Sequence, residues 1–194
     1  MRQIAGLLLT GGASRRLGVD KATSICIHGE RLVDRATRVL TAVAAPVLEV
    51  GPGVSGLSAV RENTPGEGPL VALVAGASQL DAIGFEGPVV LFAVDLPFVS
   101  IPLLELIAGW PGDDSVVPSA DGEPQVACAR YAPLALGVAA ELVAQGQRSL
   151  RSLLEVIAVA TVDETRWRAV AVPHAFADLD TPDDLRRFGL VLPT

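Results

Sequence analysis

Apolar residues in this chain fall into short unbroken runs separated by glycine- and proline-rich turns, and into longer stretches where they recur every three to four positions. The unbroken runs read as buried strands and the periodic stretches as helices lying over them. Ile4 to Leu9 is the first such run and predicts a central parallel strand. A short strand follows over Ser24 to Ile27, then a turn at His28-Gly29. Leu32, Val33, Ala36, Val39, Leu40 and Val43 share one face of a helix over Arg31 to Val43, which Pro46 stops. Val47 to Val50 is the next strand, ended by Gly51-Pro52-Gly53, and Leu57 to Val60 a short one beyond it. Pro69 opens a helix whose buried stripe is Leu70, Leu73, Val74 and Ala77.

Pro88 to Val94 predicts another fully buried strand, and Ile101 to Ile107 a helix ended at Gly109. The pattern is less regular after that. Ser115 to Pro118 and Gln125 to Tyr131 read as strands around an Asp121-Gly122 turn, Leu134 to Ala144 and Leu150 to Val156 as helices. Ala169 to Pro173 is expected as a last strand, and Asp183 to Phe188 as a closing helix capped by Thr181. Strands alternating with helices predict one α/β domain over residues 1–194, a three-layer sandwich around a mostly parallel, doubly wound, Rossmann-like sheet. A ligand is expected at the carboxyl ends of the strands.

Composition narrows the chemistry. The chain has 194 residues, 50% of them hydrophobic and 4% aromatic, enough for one core built mostly from Leu, Val, Ala and Ile. A formal charge of −7 disfavours a broad nucleic-acid or anionic-membrane surface. The apolar runs stop well short of the ~20 residues that a membrane span needs. No signal-peptide pattern precedes the first strand, so a soluble, cytoplasmic protein is expected. Cys26 and Cys128 sit in apolar runs and read as buried free thiols of a reducing compartment; a disulfide between them is the alternative. His28 and His174 are isolated and read as surface or turn residues.

The most informative chemistry lies where the first strand ends. Leu9-Thr10-Gly11-Gly12 runs into a loop carrying Arg15, Arg16 and Lys21, so backbone N–H groups can close on phosphate oxygens while the cations neutralise them. In this loop the lysine does not directly follow the last glycine and no GxGxxG occurs, so it is neither the P-loop nor the dinucleotide fingerprint. Asp95 is the second signal, a single carboxylate delivered to the same sheet edge by an apolar strand. It suits either a magnesium ion shared with phosphates or a cap on the following turn. Asp178-Leu179-Asp180-Thr181-Pro182 is the third: Thr181 and Pro182 explain a helix start, whereas Asp178 and Asp180 alternate across Leu179 and share a face.

Gly11-Gly12-x-Ser14-x-Arg16-Leu17-Gly18-x-Asp20-Lys21 resembles the signature loop of the nucleotidyltransferases related to molybdenum cofactor guanylyltransferase, with Leu17 where that family usually has methionine. Asp95-Leu96-Pro97 and Asp178-Leu179-Asp180-Thr181-Pro182 resemble its later motifs, with aspartates where guanylyltransferases usually carry asparagines. The resemblance implies transfer of GMP from GTP to the terminal phosphate of molybdenum-bound molybdopterin, with release of pyrophosphate. It implies catalytic roles for Arg16, Lys21 and Asp95, with Mg²⁺ held by Asp95 and Asp180. Nucleotide contacts would come from Leu9, Thr10, Gly11, Gly12, Lys21, Glu62, Pro69, Leu70 and Asp95. Gln125, Asp178 and Asp180 would face the acceptor. Glu62 stands where the family expects an aspartate, and Gly51 near a usual asparagine.

The Leu9-Thr10-Gly11-Gly12 step is similar to the guanine-using branch, and Asp178-Leu179-Asp180-Thr181 to the cytidylyl branch that uses CTP. The loop carries more weight because it lies against the nucleotide. A sugar-phosphate nucleotidyltransferase of the same fold and a non-catalytic molybdenum cofactor chaperone are the other readings. Partners implied are GTP, the molybdopterin acceptor, and other cofactor-biosynthesis proteins or apo-molybdoenzymes.

Overall fold

The computed structural model describes residues 3–11, 21–61, 66–179 and 181–190. In chain order, β1 (Ala5–Leu9) is followed by α1 (Lys21–Ser24) and a small hairpin of β2 (Cys26–Ile27) and β3 (Glu30–Arg31). Then come α2 (Leu32–Thr41), β4 (Val47–Val50), β5 (Ser58–Val60), α3 (Pro69–Ala82) and β6 (Val89–Ala93). The second half holds α4 (Ile101–Ala108), β7 (Ser115–Ala120), β8 (Glu123–Pro124), β9 (Cys128–Tyr131), α5 (Pro133–Ala144) and α6 (Leu150–Leu154). It closes with β10 (Val159–Val162), α7 (Glu164–Trp167) and α8 (Pro182–Arg187).

The main sheet runs β10-β7-β9-β6-β1-β4-β5, with β8 paired to β7. Pairings β1–β4, β1–β6, β4–β5 and β7–β10 are parallel, while β9 runs antiparallel to β6 and β7. The expected mostly parallel α/β sandwich is the observed one. Its two cores explain the unbroken apolar runs, because successive residues of a central strand face opposite layers and both layers are covered. Leu8, Val90 and Phe92 pack with Leu32, Val39 and Leu40 of α2 and with α4, whereas Leu7, Leu9 and Leu91 pack with Leu70, Leu73 and Leu80 of α3. No helix among the described residues is long and apolar enough to cross a membrane.

The order of strands locates the ligand crevice. From β1 the chain steps to β4 and β5 on one side, and α3 then carries it back across to β6 on the other. The reversal opens a switch point between the carboxyl ends of β1 and β6.

Two expectations are corrected. Ala169 to Pro173 is not a strand: Val159–Val162 supplies the parallel edge beside β7, and the segment after α7 turns back in irregular backbone. The cause is local, since Asp163 caps α7 by accepting from the Arg166 N–H and Trp167 anchors it in the core at 1% exposure. Cys26 is exposed rather than buried, because its strand belongs to the small surface hairpin; Cys128 is a buried free thiol as expected, and burial pushes its pKa up. Thr181 caps α8 as expected, in a capping box with Asp184.

Candidate active site

Three sequence motifs meet at the carboxyl ends of β1 and β6. Thr10 and Gly11 leave β1 between β4 and β6: Thr10 N–H donates to the Val50 carbonyl, and Val94 N–H to the Leu9 carbonyl. Asp95 follows β6, and its Oδ2 accepts from Lys21 Nζ at 3.0 Å. Lys21 opens α1, so this ion pair ties the end of the glycine loop to the opposite strand across the crevice. The third motif arrives through Leu179, buried beneath the site, whose N–H donates to the Asp95 carbonyl oxygen.

The backbone beyond Asp95 is fixed as well. Arg35 on α2 donates to the Pro97 carbonyl at 2.5 Å, and Val99 N–H to the Leu96 carbonyl. Asp95 therefore stands on a rigid turn with its carboxylate partly open, at 30% side-chain exposure against 11% for Lys21. Gln125 lies on the turn between β8 and β9, its N–H donating to the Pro118 carbonyl of β7; two residues on, the Ala127 carbonyl accepts from Ala93 at the end of β6. Asp178 is exposed next to Leu179. Pro69 is exposed at the start of α3, but Leu70 is fully buried and its N–H donates to the Arg148 carbonyl. The Leu70 side chain is core. Leu9 is also core, at 8% exposure. Gly12, Arg15, Arg16, Glu62 and Asp180 lie outside the described residues.

The sequence did not single out Glu49. It is fully buried in β4 and accepts five hydrogen bonds, from Thr10 Oγ1 at 2.5 Å, the Gly53, Val54 and Ser55 amides, and Ser55 Oγ. Burial alone would raise its pKa, but the Ser55 and Thr10 hydroxyls and the Ser55 and Val54 amides outweigh that and hold it at about 2. A charge inside the apolar run Val47 to Val50 was the visible signal. The Thr10 hydroxyl is thus committed to Glu49 and buried. Gly51, at φ +153°, lies so close to Thr10 and Gly11 that a Cβ would stand 2.2 Å from Thr10 Oγ1 and 2.9 Å from the Gly11 nitrogen. That contact explains why glycine, and no asparagine, occupies the position.

The described groups of this edge, an ammonium beside a partly exposed carboxylate, are of the kinds that suit phosphate charge and a hard metal ion. Among the described residues no three His, Cys, Asp or Glu side chains gather as a metal cluster. A cavity of about 1370 Å³ at the opposite end of the sheet, between Ile4, Pro88, Trp110 and Arg130, contains none of the expected site residues. Arg130 there donates to the carbonyls of Ala108, Trp110, Gly112 and Asp114, so it reads as a staple for the turn after α4.

Residues 6–166 match the MobA-like NTP transferase domain family. The chain is 33% identical to a probable molybdenum cofactor guanylyltransferase of Opitutus terrae, over 95% of this chain and 94% of that protein. It is 28% identical to another of that name from Chloroflexus aggregans, over 98% and 96%. Its fold superposes with a TM-score of 0.78 on the molybdopterin-guanine dinucleotide biosynthesis protein A of Archaeoglobus fulgidus, at 23% identity over 94% of this chain and 95% of that one. With the glycine loop's end, Lys21 and Asp95 gathered at one switch point, the chain belongs to the MobA-like NTP transferase family.

Proposed function

We propose that this protein transfers GMP from GTP to the terminal phosphate of molybdenum-bound molybdopterin, releasing pyrophosphate and forming the guanine dinucleotide form of the cofactor. The observation that carries the proposal is the Lys21–Asp95 pair spanning the crevice beside Gly11, in a chain that aligns along nearly its whole length with probable guanylyltransferases. Transfer of this kind asks for positioning and charge neutralisation and needs no covalent enzyme intermediate.

Lys21, with Arg16 and the Gly11 and Gly12 amides, holds the β- and γ-phosphates and so stabilises the pyrophosphate that leaves. Lys21 is well placed because it is mostly buried and its ammonium already lies at the crevice. Asp95 fits a magnesium ion: it offers a hard carboxylate oxygen, partly exposed, on a turn fixed by Leu179 and Arg35. When bound there with Asp180, Mg²⁺ would neutralise phosphate charge between donor and acceptor. Leu179 anchors the Asp178 side of the acceptor region against Asp95, and Gln125 would face the acceptor from the turn between β8 and β9, whose Ala127 meets the end of β6. Thr10 and Leu9 shape the edge through their backbone, and Pro69 through its exposed ring.

The test is pyrophosphate release by the purified chain with molybdenum-loaded molybdopterin and either GTP or CTP, with Mg²⁺ present or chelated. Release with GTP, dependent on acceptor and metal, is expected. Release with CTP alone moves the protein to the cytidylyl branch, and no release with either refutes the transfer reading.

A further inference from the structure

The Gly51–Ser55 loop has no backbone hydrogen left to offer a ligand. Gly51 N–H donates to the Val60 carbonyl at 3.0 Å, and Pro52 has none. Gly53 and Val54 donate to Glu49 Oε1 at 2.7 and 3.0 Å, and Ser55 N–H to Oε2 at 2.8 Å. The Ser55 hydroxyl gives its hydrogen to the same Oε2, at 2.5 Å. These five consecutive residues can therefore meet a ligand's polar groups only as acceptors. Glu49 itself is saturated, because two carboxylate oxygens have about four lone-pair sites and five donors already share them.

The loop borders the crevice mouth on the β4 side, away from Asp95. Thr10 Oγ1 donates to Glu49 Oε1, the oxygen that also holds Gly53 and Val54, and Gly51 packs directly on Thr10 and Gly11. The rim is thereby registered against the start of the glycine loop. We propose that Glu49 is a positioning residue that fixes residues 51–55 as an acceptor-only rim, and that this rim selects the nucleobase by its N–H donors. The inference rests on the nucleotidyl-transfer reading for the presence of a base at this edge. Guanine presents N1–H and a 2-amino group to such a rim, whereas cytosine offers only its 4-amino group. Hypoxanthine lacks the 2-amino group, and would leave one acceptor of the rim without its donor.

The experiment measures calorimetric Kd values and steady-state kcat and KM for GTP and ITP, in the wild-type chain and in Thr10→Ala, Thr10→Ser and Ser55→Ala. The wild type should bind GTP about tenfold or more tightly than ITP, the size expected for one lost hydrogen bond. Thr10→Ala and Ser55→Ala should draw that ratio towards one, through KM for GTP more than through kcat, and Thr10→Ser should keep it. Equal wild-type affinity for GTP and ITP overturns the rim. So does a ratio unchanged in both alanine variants while their Tm falls, which is the behaviour of a merely structural hub. The two readings fail separately: a preference for GTP that the alanine variants lose, without pyrophosphate release, refutes transfer and sustains the rim, while release with equal affinities refutes the rim and sustains transfer.

Discussion

Two carboxylates flank the carboxyl end of β1, and their surroundings differ in every respect that matters for chemistry. On the β4 side Glu49 is fully buried and surrounded by three amides and two hydroxyls. On the β6 side Asp95 is partly exposed and meets the ammonium of Lys21. A carboxylate saturated by fixed protein donors is a structural anion, held ionised and closed to ligands. One that is poised on a rigid turn, partly exposed and paired with a lysine ammonium can exchange that partner for a metal or phosphate-bound cation. The same residue chemistry thus does two jobs on either side of one strand, and local donors decide which.

Replacing Asp95 by Ala should produce the largest effect, and on one side of the comparison only. Pyrophosphate release from GTP is expected to fall by ~10²–10³, while urea-denaturation stability changes by about 1 kcal/mol, because the carboxylate that is removed is itself partly exposed. Glu49→Ala should invert that pattern. Removing the shared acceptor leaves three amides and two hydroxyls without it, so a loss of about 3 kcal/mol or more is expected in the same denaturation experiment.

Acid should reveal the same asymmetry. Glu49 is held at about 2 against an ordinary 4.5, so its contribution to stability is fully present above the unfolded pKa and disappears as pH falls through the folded one. The shift corresponds to about 3 kcal/mol lost between roughly pH 5 and pH 2, visible as the difference between wild type and Glu49→Gln in stability measured against pH. Thr10→Ala should give the smallest change, about 1 kcal/mol for one hydroxyl hydrogen bond, read as a small fall in the urea midpoint.

Much of this arrangement was legible along the chain. β1, β4 and β6 announce themselves as unbroken apolar runs because both faces of a central parallel strand are covered, and the glycine loop, Asp95 and Leu179 motifs all lie at the ends of such runs or beside them. Edge elements were harder. Val159–Val162 is only four residues long and pairs on one side, so its signal was weaker than that of Ala169 to Pro173, whose apolar residues follow Trp167 without forming a strand. The Asp163 cap that redirects this segment was readable as an Asp before Glu164, but it competes with an apolar stretch that looks like a strand.

The site was legible in its motifs and opaque in its wiring. Thr10 looked like a group that would face the nucleotide, yet its hydroxyl is turned onto Glu49, thirty-nine positions along the chain. Pairing between β1 and β4 brings them together, Leu8 lying opposite Glu49, and no local pattern encodes that register. Gly51 likewise looked like a missing side chain, whereas the close approach of Thr10 and Gly11 leaves no space for one.

The direct test of the contrast is a paired measurement on Asp95→Asn and Glu49→Gln, following pyrophosphate release from GTP and the urea midpoint in the same preparations. Asp95→Asn should abolish release with its midpoint essentially in place, and Glu49→Gln should lower the midpoint while the surviving folded fraction still turns over. Full release by Asp95→Asn, or an undiminished midpoint in Glu49→Gln, would contradict the contrast.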